Sequence, residues 1–326
     1  MSPRFDTISF LSDYGTSDEF VGVVTSVIRS IAPHVTVIDI THDIRPYDVK
    51  GGSLALARSV QYLCPGVVLA VVDPGVGTTR RAVAVEVGDG QSYLVGPDNG
   101  LLAAAVGMVG GATAAVELTN PEYQLAAPGA TFDGRDVFGP AAAHLCAGVP
   151  LDALGTPVDT DTLRPGIVPL PREEDGVLVG EILWVDRYGN CQVNIGPDEI
   201  DGWGDRIRLR WTRPRPGTRT AVRARAFADL EGGQVGLVTD SYGLLAVALA
   251  RGSAADLLDV AAGDEITLAP VSADGGDDAG VPPGAEARTG TGTRGPTGEP
   301  GGAAPGGPTP GRASPSPVDL SPRRRR

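Results

Sequence analysis

Between Phe5 and Asp73 the chain alternates two patterns. Short apolar, β-branched runs (ISFLS, VTVIDI, VVLAVVD) are separated by longer stretches (DEFVGVVTSVIRSI, VKGGSLALARSVQYL) with helical spacing of apolar residues. Strands that read as unbroken apolar runs are buried on both faces, so this grammar predicts a largely parallel sheet with helices on either side. Further strands are expected at RAVAVEV, SYLVG and TAAVELT, with helices over 101–109 and 137–147. Together they define an α/β domain over residues 1–155.

The grammar then changes. Residues 156–175 are rich in proline and lack periodicity, which marks a linker. Over residues 176–271 strands predominate (VLVGEILWVDR, CQVNI, RIRLRW, TAVRARA, VGLVTD, LLAVALA, DEITLAP), and the expectation is a small antiparallel β-barrel or sandwich with a short helix at 253–259. Residues 272–326 are almost wholly Gly, Pro, Ala, Thr, Ser and isolated charges, and they read as a disordered tail.

Charge narrows the function. The chain carries −13 overall, and the tail holds six acids and seven arginines, so the rest carries −14. With Lys50 its single lysine and no basic stripe, the folded part is unsuited to nucleic acid or an anionic membrane surface. The arginine run 323–326 reads as a solvated chain end. No apolar run approaches the ~20 residues that span a bilayer, and the N-terminus lacks a signal pattern, so a cytoplasmic protein is expected. Cys64, Cys146 and Cys191 have no paired spacing and are expected to be buried small apolar side chains. No G-x-G-x-x-G follows a strand, and Walker, H-E-x-x-H and nucleophile-elbow motifs are absent. No cofactor and no metal are therefore expected. His34, His42 and His144 stand apart and read as structural histidines.

Polar clusters follow the expected strand ends, where open α/β sheets bind ligands: SDYGTSDE, THDIRPYD, DPGVGTTRR and GPDNG. Asp13 has two readings, acceptor for a vicinal diol such as a ribose or helix N-terminal acid, and Asp18 suits the second role. In DPGVGTTRR, two glycines let the chain bend so that Asp73 and Arg80 fold back onto one another. That pair serves either as an anion- or water-holding site or as a structural ion pair. TFDGRDVF places Asp133, Arg135 and Asp136 at a helix start, either as caps or as the edge of a site.

Taken in order, SDYGTSD, ITHDIRPYDV, VVDPGVGTTRR, GPDNGLL, TFDGRDVFGPAAAHLCAG, VDRYGNCQVNI and DSYGLLAVALARGSA resemble the S-adenosylmethionine hydrolase (hydroxide adenosyltransferase) family, related to the fluorinase and chlorinase. The resemblance spans Phe5 to Pro270 and implies an α/β domain joined to a β domain, in a homotrimer with substrate at subunit interfaces. It implies Asp13 on the ribose hydroxyls and Tyr47 against the ligand, with Asp18 and Tyr242 nearby. It further implies Asp186 and Ser241 on the methionine, Asn190 and Tyr188 on the adenine, and Leu249 to Arg251 completing the adenine slot. The family's water-activating set is Asp, Arg and His. Asp73 and Arg80 match it, while TFDGRD puts Asp133 where the hydrolases have histidine.

The implied reaction is in-line attack of water on C5′ of S-adenosylmethionine, giving adenosine and methionine without a cofactor. Two other readings stand beside it: a binding protein with little turnover because of Asp133, and a halide-using transferase, against which Asp73 argues because the halogenases have an aromatic residue there.

Overall fold

A computed structural model describes residues 4–271. The proposed tail over 272–326 lies outside the described residues. Alternation builds the N-terminal half as expected: β1 (Thr7–Ser12), α1 (Phe20–Ile31), β2 (Thr36–Thr41), α2 (Val49–Val60), β3 (Val67–Val71), β4 (Ala82–Val87), β5 (Ser92–Pro97), α3 (Ala103–Met108), β6 (Ala112–Glu117), α4 (Gly139–Cys146) and β7 (Thr156–Pro157). One sheet runs β2-β1-β3-β5-β4-β6-β7. It is parallel through β2, β1, β3 and β5 and antiparallel beyond. The reversal has a local cause: the loop from Gly88 to Gln91 carries positive φ at Gly88, Asp89 and Gly90, which closes β4 and β5 into a tight hairpin.

Helices cover both faces. Val24 and Ile28 of α1 pack with the alanines of α4 over Ile8, Phe10 and Leu69, while Leu56 of α2 and Ala105 of α3 pack over Leu11, Val68 and Ala70. β2 departs from the expected double burial. It is an edge strand with Ile38 exposed, because no strand pairs its outer side. α2 begins at Asp48, whose side chain caps it by accepting from Gly51 N–H at 2.8 Å.

The second half resolves the barrel-or-sandwich alternative as a barrel. β9 (Val177–Val185), β10 (Cys191–Val193), β11 (Arg206–Trp211), β12 (Gly217–Ala224), β13 (Val235–Thr239), β14 (Leu245–Leu249) and β15 (Glu265–Pro270) are joined in the closed order β9-β10-β14-β13-β12-β11-β15-β9 once β8 (Arg172–Glu174) is set aside on the β9 edge. All ring pairs are antiparallel except β12 with β13. Inward residues such as Ile182, Val193, Leu209, Val247 and Leu268 fill it, and α5 (Ala254–Leu258) closes one end through Ala254 and Leu258.

The segment read as a linker, 156–175, is less free than expected: its two ends are strands β7 and β8, paired with β6 and β9. The two domains also touch directly. Lys50 on α2 forms an ion pair with Glu181 on β9, and the Arg58 guanidinium lies 4.4 Å from the Trp184 ring and 5.8 Å from that of Tyr242. Cys146 and Cys191 are buried as expected, but Cys64 is exposed, because it sits in the loop between α2 and β3. Among the described residues no helix is long and apolar enough to cross a membrane.

Candidate active site

β1 lies between β2 and β3, so the chain leaves β1 to one side and returns to the other, and a crevice opens at the carboxyl ends of these strands. A cleft of about 790 Å³ occupies it. Asp13 and Tyr14 follow β1, Tyr47 follows β2, Asp73 follows β3, and the loop carrying Phe132, Asp133 and Gly134 adds a further part of the wall.

The DPGVG loop folds back as its glycines allow. Arg80 Nε donates to Asp73 at 2.9 Å (Oδ1) and 3.0 Å (Oδ2), and its Nη2 bonds both Asp73 Oδ2 and Asp133 Oδ2. These side chains are largely buried, at 7% exposure for Asp73, 13% for Arg80 and 17% for Asp133, so water screens them little. Burial lowers the Arg80 pKa, but hydrogen bonds and charge from Asp73, then from Asp133, raise it further, and the net shift is upward. Phe138 lies 5.1 Å from the same guanidinium. One cation thus holds two carboxylates at the cleft wall, a triplet of formal charge −1.

Asp133 stands at the start of a π-helical turn, Gly134–Phe138, yet caps no backbone amide. The capping reading of TFDGRDVF therefore gives way to the Arg80 contact for Asp133. Asp136 is instead a buried acceptor for the Arg135 side chain, at 2.6 and 2.9 Å. Asp13 Oδ2 accepts from Tyr47 N–H at 2.9 Å, which pins Tyr47 in a left-handed conformation with φ 67°, and the residue is 74% exposed on the cleft lining. Desolvation raises the Asp13 pKa, the Tyr47 amide opposes it, and the charge of Asp73 adds to the rise.

A second cavity, of about 410 Å³, opens on the barrel and gathers Asp186, Tyr188, Asn190, Ser241 and Tyr242. Two loops with one design shape it. Asp186 Oδ1 accepts from the amides of Tyr188 (2.8 Å) and Asn190 (2.9 Å), and Asp240 Oδ1 accepts from those of Tyr242 (2.8 Å) and Leu244 (3.2 Å). In both, a glycine with φ above 80° makes the turn, and the tyrosine is left exposed. Asp186 Oδ2 is engaged by Asn190 Nδ2 at 2.7 Å.

The other residues singled out from the sequence lie apart. Asp18 stands before α1 outside the cleft, with Glu19 and Gly22. Leu249 ends β14 against the barrel core, and Arg251 is an exposed turn residue with φ 61°; neither lines the cleft or the barrel cavity. Asp98 of GPDNG pairs with Arg81 at 2.6 Å, away from the cleft. His42 bonds Ser12 Oγ at 2.7 Å and Asp39 at 3.1 Å as a structural residue. Tyr14, Phe132, Trp184 and Gln192 line the cavities without having been singled out. The signals available were the aromatic residue beside each acid in SDYG and TFDG, and the D-x-Y-G repeat in DRYGN and DSYGL. Among the described residues no group of three or more His, Cys, Asp or Glu side chains is disposed to hold a metal ion.

Two family models match in tandem: SAM hydroxide adenosyltransferase N-terminal domain over residues 8–155 and SAM hydroxide adenosyltransferase C-terminal domain over residues 180–267. A (R)-S-adenosyl-L-methionine hydrolase of Salinispora tropica is 44% identical over 261 residues, covering 80% of this chain and 97% of the relative. The enzyme of the same name from Thermus thermophilus is 40% identical over 268 residues, covering 80% and 98%. A fluorinase of an Actinoplanes species is 30% identical, covering 74% and 90%. Among solved structures, a conserved protein from Thermotoga maritima superposes with TM-score 0.73 at 35% identity, covering 80% of this chain and 99% of that one.

Proposed function

Because this chain belongs to the SAM hydroxide adenosyltransferase family, we propose that it is an enzyme that hydrolyses S-adenosyl-L-methionine to adenosine and methionine. The observation that carries this reading is the Asp73–Arg80–Asp133 triplet facing a cleft that also holds Asp13. The relatives named for the (R) epimer support the (R)-sulfonium as the preferred substrate.

Asp13 takes the ribose hydroxyls through its carboxylate, and Tyr47 covers the sugar. C5′ then faces the triplet, where a water sits against the two carboxylates. The water oxygen attacks C5′, the C5′–S bond breaks with its electron pair going to sulfur, and a water proton passes to a carboxylate. The thioether leaves uncharged, so no acid is required, and positioning with proton removal supplies the catalysis. Adenine and methionine occupy the barrel cavity, between Tyr188 with Asn190 and Ser241 with Asp186. The cleft and this cavity have no lining residue in common, which supports a site completed between neighbouring copies of a homotrimer. A monomer by light scattering would remove the trimer from the proposal.

The test is chromatography of S-adenosylmethionine, as resolved epimers, incubated with wild type, Asp73→Ala and Asp133→His. Wild type should release adenosine and methionine, and Asp73→Ala should lose about 10²-fold or more in rate. Intact substrate from wild type with turnover in Asp133→His would make the natural chain a binding protein.

A further inference from the structure

Tyr14 lines the cleft with its ring fixed by its neighbours and, among the described residues, no protein partner for its hydroxyl. Its ring is enclosed by three others, with centroid distances of 6.4 Å to Phe10, 5.8 Å to Phe20 and 5.7 Å to Phe132. Those contacts hold the hydroxyl against Gly134, where a β-carbon would lie 2.1 Å from it, so a glycine next to Asp133 makes room for this oxygen. Among the described residues no hydrogen bond reaches the Tyr14 hydroxyl, although its backbone amide is engaged by Ser12 Oγ at 3.3 Å. A rigid ring carrying a free hydroxyl beside two carboxylates is arranged for something that enters the cleft.

We propose that the Tyr14 hydroxyl holds the attacking water, accepting one of its hydrogens while a carboxylate of the Asp73–Arg80–Asp133 triplet accepts the other. This deepens the hydrolase reading and rests on it. With both hydrogens fixed, the water presents a lone pair to C5′. The hydrogen facing the carboxylate leaves as the C–O bond forms and the C5′–S bond breaks. The hydrogen facing Tyr14 stays with the product hydroxyl, and the phenol keeps its own proton throughout. Burial first, then the charges of Asp13, Asp73 and Asp133, push the phenol pKa up, so the group stays neutral and adds no fourth anion to the cleft. A neutral acceptor orients the water without competing for its proton, which is the division of labour that two unlike acceptors allow.

Tyr14→Phe tests this cleanly, because the ring and its three aromatic contacts remain and the deleted hydroxyl leaves no protein group unpaired. The melting temperature should stay within about 2 °C of wild type. With (R)-S-adenosylmethionine, kcat should fall about tenfold or more while KM changes less than about twofold, the pattern for an interaction made in the transition state. An unchanged kcat in Tyr14→Phe alongside an active wild type overturns the role of the hydroxyl and leaves the hydrolase reading standing. A rise in KM with kcat preserved overturns it too, by making Tyr14 a substrate contact. A wild type that leaves the substrate intact overturns both.

Discussion

Replacing Gly134 by alanine turns the same geometry into a stability measurement whose sign is informative. The new β-carbon would lie 2.1 Å from Tyr14 Oη and 3.0 Å from its Cζ. Against an optimal separation of about 3.5 Å, the overlap with the oxygen is roughly 1.4 Å. Were Tyr14 free to swing away, alanine would help, because Gly134 lies in a helical turn without positive φ and glycine there costs roughly 0.5–1 kcal/mol. The enclosing rings of Phe10, Phe20 and Phe132 prevent the swing, and overpacking of that kind costs about 1–3 kcal/mol. The net expectation is a loss of about 1–2 kcal/mol, read by calorimetry as a melting temperature about 2–8 °C lower. Adding Tyr14→Phe to Gly134→Ala removes the nearest atom and should recover most of the loss, a coupling that a double-mutant cycle isolates. An unchanged or raised melting temperature in Gly134→Ala would refute the claim that the tyrosine is held in place.

Three further outcomes follow from the same physics. Arg80→Leu strands two mostly buried carboxylates, Asp73 and Asp133, and should cost about 3–5 kcal/mol in chemical denaturation; a loss under about 1 kcal/mol would show that the triplet is not a buried ion cluster. Asp13 has a folded pKa raised chiefly by desolvation, so its contribution to stability is full below the unfolded pKa and declines as pH rises through the folded one. Asp13→Asn should therefore melt higher than wild type at pH 7, with the gap closing toward about pH 4, and should lose activity; a lower melting point at pH 7 contradicts the sign. Native protein should react with a thiol reagent at pH 8 at Cys64 alone, since burial pushes the Cys146 and Cys191 thiols up to about 12; two or more fast thiols would contradict that burial.

Legibility in the sequence tracked the distance over which an interaction acts. Strand and helix alternation is local, so β1, α1, α2 and β3 could be read directly, and so could the Asp73–Arg80 pair, seven residues apart across two glycines. The Arg80–Asp133 bond spans 53 residues and no spacing rule reaches it; the family resemblance alone brought those residues together. Burial failed where it depends on position in the sheet: VTVIDI reads as a core strand but is an edge, and Cys64 reads as apolar filler but sits in a loop. At Asp186 the resemblance implied a ligand contact, and the sequence did not show that both its oxygens also organise the DRYGN turn. The hydroxyl of Tyr14 was invisible for the opposite reason: its meaning lies in the partner it lacks.

An aspartate at position 133, where the family resemblance implies a histidine, acquires a rationale from charge. Asp73 and Arg80 cancel formally, so a neutral histidine beside them would leave the wall uncharged, whereas Asp133 makes it −1; with Arg135 offset by its partner Asp136, Asp13 brings the cleft to −2. At about 4 Å and an effective dielectric of about 20, one unit of charge is worth roughly 4 kcal/mol, attractive for a sulfonium and repulsive for a halide. The same charges bear on the proposed reaction. Hydrolysis converts a cation and a neutral water into two neutral products and a proton, and the triplet that attracted the cation is one charge short of neutral. Taking the proton onto Asp73 or Asp133 brings it to neutrality as the sulfonium disappears, so the positive charge moves a short distance within the cleft instead of being lost from it. An imidazole in that place would accept the proton and become a cation; a carboxylate accepts it and becomes neutral. On the proposed mechanism a carboxylate of the triplet keeps the base function, while the added charge strengthens selection for a cationic substrate and an uncharged nucleophile.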